Sequence, residues 1–369
     1  MNPARLHIWV PEWSGPGGIQ AYSRNLVRSC VALLPQTRIT VLLRNGTAPG
    51  AEEGLAIESR TTGAIPAPWR RAAYALLLAK TTLAQRPDLI LIAHLHFAPI
   101  ARALRRFGPF RYWVVAHGIE AWSGLSRVRR DALRGAEKIL PVSHHTAGRL
   151  HLLLDPSAPR MERLPNRVDE TIFTPGPKPP HLLRRYGFAA TDRILLTVAR
   201  LDPRQRYKGC DQVLEALVRV RREIPEARYV IAGRGADSTR LRRRARELGL
   251  GDAVILTGFV PERDLCDHMR LCDLFVMPSQ GEGFGIVFLE ALACGRRVVA
   301  GDADGSVEPL LHGKLGTLVD PTDVAALGET LVRLLRAPHG EEDAAFLRRT
   351  VLDHFGTEAF HRRLREVLG

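Results

Sequence analysis

Two carboxylates eight positions apart, Glu282 and Glu290, stand in the stretch "SQGEGFGIVFLEALACG" that runs from Ser279 to Gly295. Glu282 is surrounded by Gly281, Gly283 and Gly285, whereas Glu290 falls in an apolar run (Ile286 onward) that reads as a helix. A helix N-terminus leaves backbone N–H groups unpaired and carries partial positive charge, so it attracts phosphates and hydroxyl-rich anions. Glycines ahead of it let the backbone approach a ligand without Cβ clashes. Glu282 is placed to accept hydrogen bonds from hydroxyls, and Glu290, in the second turn, can reach a ligand lying across the helix start. A diphosphate flanked by two sugars has that shape. An ordinary helix behind a polar loop shows the same local pattern, so the pair has to be weighed with other residues.

Several other positions point the same way. In "LTVARLDPRQRYKGCDQVLEAL", Arg200 follows a strand and Lys208 precedes a helix, which suits two cations neutralising a diphosphate. Arg204 and Arg206, between them, read as solvated loop residues. "VIAGRGADS" adds a strand-end turn at Gly233 and Gly235, and "ILTGFVPERDL" puts Gly258, Phe259 and Val260 on a loop whose main chain can read a nucleobase edge. In the first half, "WVPEWSGPGGIQAYSRNL" is strand, glycine loop and helix; Gly17 and Gly18 either offer N–H groups to phosphate or merely connect the two elements. "YWVVAHGIEAW" ends a strand at His117, with Gly118 and Glu120 following. His94 and His96 lie at another strand end and read as cleft lining, and His144 and His145 read as structural.

Short apolar runs alternate with amphipathic stretches along most of the chain. Strands are expected at Leu6–Val10, Ile39–Leu43, Leu89–Ala93, Tyr112–Ala116 and Ile139–Val142 in the first half. In the second half they are expected at Ile194–Val198, Tyr229–Ala232, Val254–Leu256, Leu274–Met277, Val298–Ala300 and Thr317–Val319. Continuous apolar runs are what a parallel sheet buried on both faces requires. The fold class is therefore α/β, with two doubly wound, Rossmann-like domains and ligands beyond the carboxyl ends of the strands, in a cleft between them. "FTPGPKPPHLL", 173–183, with four prolines and no periodicity, reads as the linker. The expected domains are 1–172, joined by a C-terminal helix at 355–369, and 184–354.

With 369 residues the chain is too long for one ordinary core. Its 45% hydrophobic and 25% charged residues are those of a globular protein, and no run of about eighteen apolar residues marks a spanning helix. The N-terminal stretch has no signal-peptide pattern, and the five scattered cysteines form no CxxC pair, so reduced thiols in a cytoplasmic setting and no metal site are expected. The net charge of +14 is uneven: residues 1–172 hold 23 Lys and Arg against 12 Asp and Glu, and the remainder 30 against 27. A basic first half either meets an anionic partner or reflects Arg-rich solvated helix faces. A nucleic-acid-binding protein is disfavoured, because no binding module is visible and aromatics are only 6%.

Taken together, the Gly17–Gly18 loop, the "AHG" at His117, "LPNRVDETIFTP", "ARL…YKG", the E-x7-E of "GEGFGIVFLEALACG" and "DGSVEPLLHGKLGTLVDP" resemble the large retaining glycosyltransferase family 4 of GT-B fold. The likeness covers nearly the whole length. One departure is "NRVD", where Arg167 stands in the family's glycine place, so a glycine-specific turn is not expected there. The resemblance implies retaining transfer of a hexose from a nucleotide-diphosphate sugar, GDP-mannose or a UDP-hexose, with no cofactor and no metal. Arg200 and Lys208 would hold the diphosphate, Glu290 the ribose, and Glu282 with main-chain groups of Gly283, Phe284, Gly285 and Ile286 the donor sugar. His117 would touch the sugar near the reacting centre. The acceptor, a glycan or a polyprenyl-diphosphate-linked glycan, would bind the basic first domain. There the helix Pro68–Arg86, with Tyr74, Leu77, Leu78 and Leu83 broadly on one side and Trp69, Arg70 and Arg71 at its start, could rest on an anionic membrane surface. The expected location is cytoplasmic, peripheral at the inner face of the membrane. A GT-B sugar-nucleotide epimerase and a non-catalytic sugar-nucleotide sensor are the alternatives.

Overall fold

The computed structural model describes residues 2–15, 17–49, 54–122, 124–154 and 159–369, which divide into two compact units, 1–167 with 360–369, and 168–359. The first unit holds seven strands among the described residues: β1 (Arg5–Glu12), β2 (Arg38–Asn45), β3 (Glu58–Thr61), β4 (Leu89–Ile92), β5 (Arg111–Ala116), β6 (Lys138–Pro141) and β7 (Arg160–Met161). They form one parallel sheet in the order β3-β2-β1-β4-β5-β6-β7. Leu6, Ile8, Trp9 and Val10 of β1 are all fully buried, as a central strand covered on both faces demands. Trp9 and Tyr112 pack into a core with Tyr74, Leu78 and Phe97 from the covering segments. The edge strands β3 and β7 were not expected, because "ESRT" and "RM" carry charge instead of an apolar run; charged side chains are what keep a sheet edge from pairing further.

The second unit contains β8 (Arg193–Val198), β9 (Ala227–Ala232), β10 (Val254–Gly258), β11 (Leu274–Met277), β12 (Arg297–Gly301) and β13 (Thr317–Val319), again all parallel, in the order β10-β9-β8-β11-β12-β13. Counted within each unit, both sheets follow the doubly wound 3-2-1-4-5-6 order, whose direction reverses next to the first strand. That switch point lies between β1 and β4 in one sheet and between β8 and β11 in the other.

Two expectations need correction. The proline-rich run 173–183 is packed into the second unit: Arg270 Nε donates to the Thr174 carbonyl at 2.8 Å, and the helix Pro180–Tyr186 begins within the run, with Pro180 in its first turn, where the missing N–H costs nothing. The helix expected at 68–86 runs Ala67–Gln85, but its inward face is Tyr74, Leu78, Thr81 and Thr82. Leu83 instead joins Trp69 and Leu76 on the outside, at 45%, 71% and 69% exposure. Seven-residue spacing places these three in one stripe on a helix.

Candidate functional site

The second unit gathers most of the expected site residues at its switch point. β8 stops at Val198, so Arg200 stands two residues past the strand, exposed and without an ion-pair partner among the described residues. Asp202 then caps a 3-10 helix, Pro203–Lys208, by accepting the Arg204 N–H at 2.9 Å. Arg204 is solvated as expected, but Arg206 is not a free loop cation: its guanidinium donates to the buried Asp237 at 2.8 Å. Asp237 also receives Arg240, whose other arm grips Asp211, and these guanidinium bonds hold the Asp237 carboxyl down at about 2. This network fixes the segment that ends in Lys208. Gly209 follows with φ +84°, and a Cβ there would lie 2.5 Å from the Pro278 carbonyl, so the close approach of this segment to the end of β11 requires glycine.

Lys208 Nζ donates to Glu282 Oε1, and the two side chains are only 16% and 13% exposed. Burial pushes the Lys208 ammonium down, but the Glu282 charge and the Tyr207 phenol more than offset this, leaving its pKa above the ordinary lysine value. Lys208 is therefore a cation throughout the neutral range. The loop after β11 passes through Ser279, Glu282, Gly283 and Phe284 to the helix Ile286–Ala293, with Gly285 at φ +89° immediately before it. The N–H groups of Gly283, Phe284 and Gly285 bond to no protein acceptor among the described residues. The Phe284 side chain points away into the core, edge-on to Phe355 at 5.6 Å, so only its main chain is available to a ligand. Ile286 opens the helix, and Glu290 is 7% exposed one turn later. The β10 end is two strands from β8; there Gly258, at φ +77°, accepts from the Gly233 N–H at 2.9 Å, and Val260 follows half-buried. Phe259 is 42% exposed with the Arg234 guanidinium 4.9 Å from its ring centroid.

The other candidates belong to the first unit. Gly17 precedes the helix Gly18–Leu33 with φ +137°, a conformation that itself calls for glycine, and both glycines are exposed. His117 directly follows β5; its Nε2 lies 2.7 Å from the Ala93 carbonyl. A carbonyl can only accept, so Nε2 carries the proton and Nδ1 has the lone pair. Glu120 accepts the His117 N–H at 2.6 Å, and Tyr22 packs edge-on at 4.9 Å. Burial lowers the His117 pKa, against the pull of Glu120 and the Ala93 bond, so the neutral ring is favoured. His94 lies beside it, ring centroids 6.2 Å apart, and is tilted against His96 at 4.4 Å, while His145 packs on Trp122 at 4.8 Å, a structural contact. Arg167 is not among the positive-φ residues, so no glycine is needed where the family has one.

Sequence reasoning missed Asp304 and Tyr207. Asp304 follows β12 and is buried against the Glu282 loop; Tyr207 packs its ring on Gly281, where a Cβ would lie 3.1 Å from it. The available signal was that "DADGS" is one more polar turn at a strand's carboxyl end. Among the described residues no group of three or more His, Cys, Asp or Glu could hold a metal ion.

This grouping of two cations, two carboxylates and a helix start at a switch point, on one of two Rossmann-like units, is accompanied by direct similarity. Residues 16–172 match the family described as Glycosyltransferase Family 4, and residues 181–349 match Glycosyl transferases group 1. The chain belongs to the family 4 glycosyltransferases of GT-B fold. It is 38% identical over 247 residues to the GDP-mannose-dependent alpha-(1-6)-phosphatidylinositol monomannoside mannosyltransferase of Mycolicibacterium smegmatis. That match covers 63% of either protein, just under two thirds of the relative. A D-inositol 3-phosphate glycosyltransferase of Thermobispora bispora is 36% identical over 54% of this chain and 48% of its own. Among solved structures, sucrose-phosphate synthase from Thermosynechococcus elongatus superposes with a TM-score of 0.80 at 20% identity, covering 98% of each chain. Anabaena HepE in complex with UDP and glucose gives 0.77 at 20% identity over 99% of each. At those identities the likeness concerns the fold.

Proposed function

We propose that this protein transfers mannose from GDP-mannose to an acceptor bearing an inositol phosphate, a lipid of the phosphatidylinositol class, with retention at the anomeric carbon and without a metal ion. The observation that carries this reading is the switch-point constellation in the second unit: Lys208 held beside Glu282, the exposed Arg200, and three N–H groups ahead of a helix with no protein acceptor among the described residues. Mannose, the GDP nucleotide and the inositol lipid rest on the names of the relatives.

In the reaction the bond between the anomeric carbon and the diphosphate oxygen breaks, and the acceptor oxygen bonds to the same face. The acceptor proton passes to the departing diphosphate. Arg200 and Lys208 neutralise the charge that builds on that diphosphate, and the N–H groups of Gly283, Phe284 and Gly285 add oriented dipoles; such preorganised stabilisation lowers a barrier most where charge develops. Glu282 accepts sugar hydroxyls and needs no nucleophilic role, while Glu290 takes the ribose and Gly258–Val260 the base edge. The roles that the resemblance implies for His117 and for Gly17–Gly18 are part of the same proposal.

The test is incubation with GDP-mannose, UDP-glucose and UDP-galactose in turn, following release of free nucleotide. GDP-mannose should be turned over fastest, and EDTA should leave the rate unchanged. Lys208→Ala should lower release by about 100-fold, the scale of a lost oxyanion-stabilising donor, and Glu290→Ala by about 10- to 100-fold, the scale of lost ribose hydrogen bonds to a charged group. Wild-type rates in either variant would refute the assigned site, and an inverted product anomer by NMR would refute retention.

A further inference from the structure

We propose that Asp304 is a positioning residue for sugar recognition, acting through the main chain of Glu282; this rests on the donor-site reading above. Asp304 is 3% exposed and makes no ion pair among the described residues. Its Oδ2 accepts from Ser279 Oγ at 2.7 Å and from the Glu282 N–H at 2.6 Å, and its Oδ1 accepts the Ser306 N–H at 2.8 Å. Burying a carboxylate is costly unless it is well bonded, and here three neutral donors do so with short, charge-assisted bonds.

The grip continues on the other side of the same residue. The Glu282 carbonyl accepts the Gly305 N–H at 2.9 Å. A Cβ on Gly305 would lie 2.3 Å from the Gly283 carbonyl, so the two backbones are in direct contact and only glycine fits. Upstream, the Tyr207 carbonyl accepts the Gln280 N–H at 2.9 Å while its ring covers Gly281. Glu282 is thus held at both its N–H and its carbonyl, leaving its side chain directed to Lys208. Because Asp304 consumes the Glu282 N–H, the amides between Glu282 and the helix that remain for a ligand are those of Gly283, Phe284 and Gly285. Asp304 sets the register in which the loop presents its carboxylate and its amides to the sugar.

Asp304→Asn turns one of the two oxygens into a donor, which must face either the Ser279 and Glu282 donors or the Ser306 N–H. The measurement is calorimetric titration of the full chain with GDP and with GDP-mannose, the readout being the ratio of the two affinities. In Asp304→Asn this ratio should fall about tenfold, the equivalent of one charged hydrogen bond, while GDP affinity stays within about threefold of wild type. Glu282→Gln should show the same loss, and the double variant no more than Glu282→Gln alone. Ser279→Ala, a milder change that removes a single donor to Asp304, should lower the ratio by about threefold, and decides the matter if Asp304→Asn fails to fold. An unchanged ratio, an equal loss for both ligands, or additive single effects would reduce Asp304 to a structural residue and overturn the inference. A wild type that binds GDP-mannose no better than GDP overturns the donor-site reading itself, and this inference with it.

Discussion

Lys208 and Glu282 bond to each other with their side chains largely withdrawn from water, so neither can be removed without leaving the other's charge stranded. Truncating one partner of such a pair costs about 3–5 kcal/mol when burial is complete; with 16% and 13% of the two side chains still exposed, the lower end, about 3 kcal/mol, is expected. Lys208→Met should therefore lower unfolding free energy by about 3 kcal/mol in urea titrations, and Lys208→Met/Glu282→Gln should recover more than half of that. Nucleotide release should remain lost in both variants. Full stability in the single variant would mean that water, not Lys208, solvates Glu282. Both partners stand out in the sequence, because a lysine before a helix and a glutamate among glycines are chemically conspicuous. Asp304 does not stand out: its partners are Ser279 and Glu282, on another strand's loop, and only the pairing of β11 with β12 brings them together.

At the scale of elements, the strands that the apolar runs marked are present within a residue or two, since full burial leaves little freedom in composition. The edge strands β3 and β7 were illegible for the converse reason: half-solvated, charged residues have no strand signature of their own. β3 is tied to its neighbours through side chains. His7 Nε2 on β1 and Thr40 Oγ1 on β2 both reach Gln85 Oε1 at the end of the helix Ala67–Gln85, at 2.8 and 3.0 Å, and Gln85 Nε2 donates to Glu58 on β3 at 3.0 Å. His7 is 1% exposed, and burial lowers its pKa from 6.5 to about 4, partly opposed by its bond to Gln85 and the charge of Glu58. The folded ring thus excludes a proton that the unfolded chain accepts between pH 6.5 and about 4. Stability rises with pH across that window, is complete above 6.5, and is lost as pH falls toward 4. The slope should approach about 1.4 kcal/mol per pH unit for the one proton excluded. His7→Gln should flatten it in denaturant titrations at pH 7.5, 6 and 5, and an unaltered slope in that variant would remove His7 from the account.

At the scale of the whole molecule, the charge asymmetry and the misplaced face of one helix have a common consequence. The helix Ala67–Gln85 keeps Tyr74 and Leu78 for its own core and shows Trp69, Leu76 and Leu83 to the outside, with Arg70, Arg71 and Lys80 on the same helix. Val128, 64% exposed, stands between Arg127 and Arg129 on the helix Arg127–Arg134 and repeats the combination in the same basic unit. No helix among the described residues is long and apolar enough to cross a membrane, so any attachment made by these helices would lie at the surface. Inserting an apolar side chain fully contributes about 1.5–3 kcal/mol, and each Lys or Arg near an anionic surface about 1 kcal/mol. With a few side chains entering only partly and several cations around them, attraction to charge should outweigh insertion, and salt should reverse it. The expected result is co-sedimentation with vesicles containing phosphatidylinositol or phosphatidylserine at low salt, release as the Debye length shrinks toward about 3 Å near 1 M salt, and little binding to neutral phosphatidylcholine. Trp69→Glu/Leu76→Glu should abolish sedimentation while leaving turnover of a soluble acceptor intact, because neither residue belongs to the donor site. Sedimentation indifferent to lipid charge and to salt would sink the membrane reading and return these arginines to the role of solvated helix faces.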